Sequence, residues 1–185
     1  QDRNTCVLFG DGAGAMVLSA RSEGSIARIF ASDLRSEGTK HDLICLPGGL
    51  VQNPASMKTV EENLHTVQMK GNEVFKFVNQ ALPGFLHDSC EKAGIEAKEI
   101  AWWIFHQANL RIIDSVLRRL AVDPEKAVVN LERYGNTSAA SVFLAFHEAL
   151  TEGRFKSREK ILITSFGAGM TYGDIILEMQ GADHV

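Results

Sequence analysis

The chain has 185 residues, 45% of them hydrophobic and 23% charged, with a formal net charge of −4 and a pI of about 5.9. That is the composition of a globular domain able to fill one core. The charge balance gives no support for nucleic acid or membrane binding, and no apolar run is long enough to span a bilayer. Cys6, Cys45 and Cys90 lack metal-ligand spacing and make no disulfide framework, so neither a metal site nor an oxidising compartment is expected, and the compartment is read as cytoplasmic. A strand pattern begins by Thr5, close behind Gln1, and the chain is expected to be a piece of a longer polypeptide.

Taken in order, residues 5–9 read as a strand. Gly10-Asp11-Gly12-Ala13-Gly14 follows as a turn, and residues 15–18 read as a returning strand, making a hairpin. The glycines do not complete a G-x-G-x-x-G fingerprint, and no helical period follows them. Residues 21–68 hold Pro47-Gly48-Gly49 and Asn53-Pro54 with little periodicity. They read as a surface excursion with one or two short strands, one at residues 26–31. His41 and His65 within it read as solvated loop histidines.

Residues 69–93 read as a helix with a broad apolar face that includes Val74, Val78, Leu82 and Leu86. Pro83 is expected to kink or divide it, and Gly94 to stop it. Residues 100–105 are an apolar run of strand length, and Leu110, Ile113, Val116, Leu117 and Leu120 then recur at helical spacing. A short strand at residues 127–131, a helix at 142–150 and a strand pair at 160–164 and 174–178 complete the chain. The order implies an α/β fold, a mixed sheet with helices on both faces.

The polar residues gather where strands give way to helices or turns. His106, Gln107 and Asn109 end the central strand, Asn136 lies in a polar loop before a helix, and Gly167-Ala168-Gly169 follows the strand near the C-terminus. A partly desolvated histidine stays neutral near pH 7 and donates one hydrogen bond, and an asparagine amide is a donor that never titrates. Two neutral donors converging on one oxygen stabilise an enolate, and the glycine-rich backbone offers N–H groups to a tetrahedral intermediate. The helix entry at Gly71-Asn72 offers free N–H groups to an anionic or amide-bearing ligand. Arg111, Arg118 and Arg119, at i, i+7 and i+8, share a helix face; with Lys76 they form a basic patch on an acidic protein. These parts suit acyl transfer and carbon–carbon bond formation at a thioester, but they lack a nucleophile. Cys6 falls in a strand, Cys45 in the excursion and Cys90 late in a helix, and none is placed to have its pKa lowered.

Together the stretches Phe9-Gly10-Asp11-Gly12-Ala13-Gly14-Ala15, Met69-Lys70-Gly71-Asn72-Glu73-Val74-Phe75, His106-Gln107-Ala108-Asn109-Leu110-Arg111-Ile112, Tyr134-Gly135-Asn136-Thr137-Ser138-Ala139-Ala140-Ser141 and Phe166-Gly167-Ala168-Gly169 resemble the beta-ketoacyl-acyl carrier protein synthase III family of thiolase-like condensing enzymes. The resemblance covers the C-terminal half of such an enzyme, over residues 1–185. It implies a thiolase-like half with a five-stranded mixed sheet, one part of an α-β-α-β-α sandwich, the nucleophilic cysteine belonging to the other half. It implies that His106 and Asn136 complete a Cys-His-Asn triad, that the Ala168 N–H serves the oxyanion hole, and that Gly71, Asn72 and Asn109 line the CoA/pantetheine tunnel. It also matches Lys76, Arg111, Arg118 and Arg119 to the docking surface for acyl carrier protein. The implied reaction is decarboxylative condensation of an acyl-CoA primer with a malonyl thioester on the carrier protein, opening fatty acid synthesis without any other cofactor, in a homodimer. The segment alone is expected to be inactive. Alanine stands at position 168 where the family often has glycine, a change that a backbone donor tolerates and that bears on acyl-pocket shape; Met170 and Tyr172 fall where the family varies and bear on primer choice. A relative in secondary metabolism, or a half-domain that only binds carrier protein, are the alternatives.

Overall fold

The computed structural model describes residues 3–21 and 23–181. The strands are β1 (Ala27–Ser36), β2 (Ile44–Cys45), β3 (Gln68–Met69), β4 (Ile100–Phe105), β5 (Ala127–Val128), β6 (Lys160–Gly167) and β7 (Thr171–Met179). The helices are α1 (Arg3–Cys6), α2 (Met57–Glu61), α3 (Gly71–Lys92), α4 (Leu110–Arg119), α5 (Leu131–Tyr134) and α6 (Ala140–Thr151). Five strands form one sheet in the order β1-β7-β6-β4-β5, and β2 pairs with β3 beside it. The β4–β5 and β4–β6 pairs are parallel, whereas β6–β7 and β1–β7 are antiparallel, so the sheet is mixed.

The strand period of two sorts the core onto two faces. Trp103, Phe105, Leu162 and Ile176 face α3 and α4 in one apolar cluster. Ile104, Ile161 and Leu177 face Ala145, Phe146 and Ala149 of α6 in the other. Helices therefore cover both faces, as the alternation of elements implied. A register shift between Ile100 and Trp102 lets Ile100 join Trp103 on the α3 side. On the α6 side coverage stops short of the sheet's β1 edge, where Ile29, Leu34 and Ile175 remain exposed. Among the described residues no helix is long and apolar enough to cross a membrane.

The structure differs from the sequence expectation in four places. Residues 5–9 form no strand: α1 ends at Cys6, and Phe9 makes a single parallel bridge to Asn136. Residues 10–19 do not return as a hairpin and join no ladder, and residues 11–19 are exposed. The glycines serve close approach rather than a turn. A Cβ built on Gly10 would lie 2.1 Å from the Tyr134 carbonyl oxygen, one on Gly12 2.9 Å from Thr137, and one on Gly14 2.4 Å from Phe143. Gly10, Gly12 and Gly14 thus face α5, the Asn136 loop and α6, where a side chain would clash.

The second difference is the excursion. Its short strand is the ten-residue β1, an edge of the main sheet, so the irregular part begins only at Glu37. The third is the segment at 127–131, where pairing ends at Val128 and α5 begins at Leu131. The fourth is Pro83, which does not divide α3. Proline has no N–H for the carbonyl four residues back, that of Asn79. That buried carbonyl instead accepts a hydrogen bond from Nη1 of Arg119 at the end of α4. A guanidinium from the neighbouring helix fills the gap in the helix ladder.

Arg119→Ala removes that donor and leaves the Asn79 carbonyl unsatisfied. The unfolding free energy measured in urea is expected to fall by about 1.5–3 kcal/mol, the range for a hydrogen bond to a charged group. A change within ~0.5 kcal/mol, typical of a surface site, would mean that water replaces the guanidinium.

Candidate active site

β4 delivers His106 to the sheet's end, and the His106 N–H continues the β4–β6 pairing with a 2.8 Å bond to the Thr164 carbonyl. The ring packs edge-on against Phe166 at a centroid distance of 5.5 Å. Its Nδ1 lies 2.7 Å from the Ser141 hydroxyl in the first turn of α6. Burial pushes the His106 pKa down to about 4, so the imidazole is neutral at pH 7.

Gln107, wholly buried, joins β4 to the next connection. Its Nε2 donates to the carbonyls of Phe105 and Val128 at 2.8 and 3.2 Å, and its Oε1 accepts the Asn130 N–H at 3.1 Å. Asn130 in turn donates to Glu148 of α6, which also accepts from Arg133 and Tyr134 of α5. The loop carrying Asn136 is therefore tied to the sheet on one side and to α6 on the other. The segment around Phe9 closes it from a third direction. The Asn136 N–H donates to the Leu8 carbonyl, and the Asn136 carbonyl accepts the Gly10 N–H, at 3.1 and 2.9 Å.

Within that clamp the Asn136 side chain has one orientation. Its Oδ1 accepts the Ser138 N–H at 2.9 Å. The Nδ2 is thereby the outward group, without a hydrogen-bond partner among the described residues. His106 and Asn136 line the same cleft, which has a volume of about 1310 Å³. Gly167 and Ala168, at the β6–β7 turn, line it as well. The Ala168 N–H has no partner among the described residues.

Gly71, Asn72 and Asn109 also line this cleft. Lys70 precedes α3 without a side-chain cap, which leaves the first N–H groups at Gly71 and Asn72 uncapped. The Asn109 Oδ1 is engaged as the cap of α4, accepting the Arg111 N–H at 2.9 Å. Arg111 lies on the cleft rim, and Lys76, Arg111 and Arg118 are exposed, with no ion pair among the described residues. Arg119 differs from them, because its guanidinium is bound to the Asn79 carbonyl one turn from Lys76. The structure brings His106, Asn136, Ala168, Gly71, Asn72 and Asn109 to one cleft and places the basic residues along α3 and α4 beside it.

None of the chain's cysteines lines the cleft. Cys6 is exposed at the end of α1 rather than in a strand, and Cys45 is half-buried in β2. Cys90 is buried in α3, and burial pushes its thiol up to about 11, away from thiolate chemistry. Sequence reasoning gave no role to Ser141 or Gln107. Ser141's partners are 34 and 35 positions away, and two of Gln107's side-chain partners are 21 and 23 positions away, beyond any local pattern.

The mixed sheet with α3 and α4 on one face and α6 on the other is the thiolase-like fold. A family profile described as 3-oxoacyl-(acyl carrier protein) synthase III, C terminal, matches residues 90–179, and one described as 3-oxoacyl-(acyl carrier protein) synthase III matches residues 1–38. A beta-ketoacyl-(acyl carrier protein) synthase III from Symbiobacterium thermophilum is 49% identical over 177 residues, 96% of this chain and 53% of that relative. The crystal structure of the synthase III from Aquifex aeolicus superposes with a TM-score of 0.82 at 39% identity, over 96% of this chain and 52% of the other. That from Pseudomonas aeruginosa superposes at 0.83 and 32% identity, over 97% and 53%. The chain belongs to the beta-ketoacyl-(acyl carrier protein) synthase III family, and it spans about half the length of the curated relatives it matches.

The depressed pKa of His106 gives a stability signature. A histidine in the unfolded chain binds its proton near pH ~6.5, so the group's contribution is whole above that pH and is lost as pH falls toward about 4. The His106 C2–H resonance, followed by NMR, is expected to titrate near pH 4. A midpoint near ~6.5 would mean that the ring is solvated.

Proposed function

We propose that this chain is the C-terminal half of a condensing enzyme that joins an acyl-CoA primer to a malonyl thioester on acyl carrier protein, the opening step of fatty acid synthesis. The observation that carries the reading is the pairing of two neutral donors in one cleft. His106 is kept uncharged by burial, and Asn136 is turned by Ser138 so that its Nδ2 is free. Such a pair favours an oxygen that gains negative charge during reaction and, being neutral, draws no resting carboxylate into its place.

In the proposed sequence a cysteine of the other half takes the acyl group from acyl-CoA and releases the CoA thiol. The malonyl thioester then binds with its carbonyl oxygen at His106 and Asn136. Loss of CO2 leaves an electron pair delocalised onto that oxygen as an enolate, so no base is required. The α-carbon attacks the acyl-cysteine carbonyl, the oxyanion is met by the Ala168 N–H, and collapse expels the cysteine thiolate with formation of the 3-ketoacyl thioester. Gly71, Asn72 and Asn109 receive the pantetheine arm along the cleft. Lys76, Arg111, Arg118 and Arg119 attract the acidic carrier protein, Arg119 while also linking α4 to α3 through the Asn79 carbonyl.

The half-molecule reading has independent support. The chain's cysteines lie outside the cleft, and the sheet leaves Ile29, Leu34 and Ile175 uncovered on the face toward α6. An adjoining layer from the other half would cover that face. The isolated chain is then inactive in condensation, and the whole enzyme acts as a cytoplasmic homodimer with no metal or further cofactor.

In the full polypeptide, His106→Ala and Asn136→Ala are each expected to lower the rate of malonyl-carrier-protein decarboxylation by about 10²–10³-fold, the cost of one oxyanion donor. Acylation of the enzyme by acyl-CoA is expected to persist. Decarboxylation at the unaltered rate in both variants would overturn the reading. Separately, Arg118→Glu is expected to raise the KM for carrier-protein substrate about tenfold at low salt and by less as salt screens the contact. A KM independent of both charge and salt would remove Arg118 from the docking surface.

A further inference from the structure

Ser141 has no part in the chemistry described so far, yet it is 1% exposed and its hydroxyl lies between two groups of the site. The oxygen accepts the Gln107 N–H at 3.2 Å and lies 2.7 Å from Nδ1 of His106. A serine hydroxyl has one hydrogen and two lone pairs. One lone pair is taken by Gln107. The only acceptor placed for the hydrogen, among the described residues, is the imidazole Nδ1.

We infer that Ser141 is a positioning residue that donates to Nδ1 of His106, so that the ring's single proton sits on Nε2 and faces the cleft as a donor beside the Asn136 amide. The opposite tautomer would make Nδ1 a donor to the serine oxygen. The serine hydrogen would then be left without a partner in a buried place, and Nε2 would turn an acceptor's lone pair toward the substrate oxygen. A ring nitrogen's protonation is set by the hydrogen bond its sibling makes, and here that bond comes from α6. The position is built from both sides. Gln107 is fixed to β4 and β5 by its own side chain, so its N–H orients the serine oxygen, and the serine orients the imidazole. The inference rests on the proposed role of His106 for its consequence in catalysis, but the tautomer itself is a property of the resting protein.

The test uses the full polypeptide carrying this chain, labelled with 15N at histidine, with the His106 signals assigned by their loss in His106→Asn. At pH 7 the unaltered protein is expected to show Nδ1 as an unprotonated, hydrogen-bonded nitrogen and Nε2 as N–H. Ser141→Ala is expected to mix the tautomers and to lower kcat for malonyl-thioester decarboxylation about tenfold or more with KM nearly unchanged, the pattern of a lost transition-state interaction. Ser141→Thr, which keeps the hydroxyl, is expected to restore both the spectrum and most of kcat. A spectrum with Nδ1–H in the unaltered protein, or an alanine variant whose His106 nitrogens do not move, would overturn the assignment. If the spectrum is as expected while His106→Ala leaves decarboxylation intact, the tautomer stands and the proposed function fails.

Discussion

The site depends on one buried amide. Gln107 sits just past the end of β4, and both polar atoms of its side-chain amide are spent on backbone: two carbonyls, one from each of two parallel strands, and the N–H that starts the next turn. β4 and β5 pair over only two positions, so the ladder itself holds their ends weakly together. The side chain extends that ladder past its last rung. An apolar residue at 107 would leave those backbone groups unpaired where water does not reach, at a cost comparable with losing several hydrogen bonds. The direction in which the chain leaves β5, and hence where Asn136 lies relative to His106, follows from this amide.

The cleft is built from unlike elements. His106 is anchored by a central strand flanked on both sides, whereas Asn136 sits on a loop held by backbone bonds to Leu8 and Gly10. Both end as neutral donors, but by different means. The histidine is neutral because burial opposes its charge, and the asparagine has no charge to lose. On the proposed reading this spares the site any need to choose a protonation state when a malonyl group arrives.

The sequence made the framework readable and left its ties invisible. β4 is legible as a continuous apolar run of strand length, and α4 because its apolar residues recur at helical spacing over ten residues. His106 and Asn136 are legible because polar side chains interrupt apolar runs at element ends. The N-terminal hairpin is misread because glycines at every second position serve a turn or a close approach equally well, and only the position of Tyr134, Thr137 and Phe143 decides. α5 is too short for any period. β1 is longer than its apolar stretch because edge pairing with β7 continues through Asp33 and Arg35. Ser141 and Gln107 act through partners distant in sequence, and no local pattern marks them.

The Pro83 arrangement makes two positions on separate helices answerable to each other. With proline at 83, the carbonyl of Asn79 relies on Arg119. With alanine at 83, the backbone N–H would serve that carbonyl and the arginine would become free to vary. The two positions are therefore coupled: loss of Arg119 leaves the Asn79 carbonyl without a donor only while proline stands at 83.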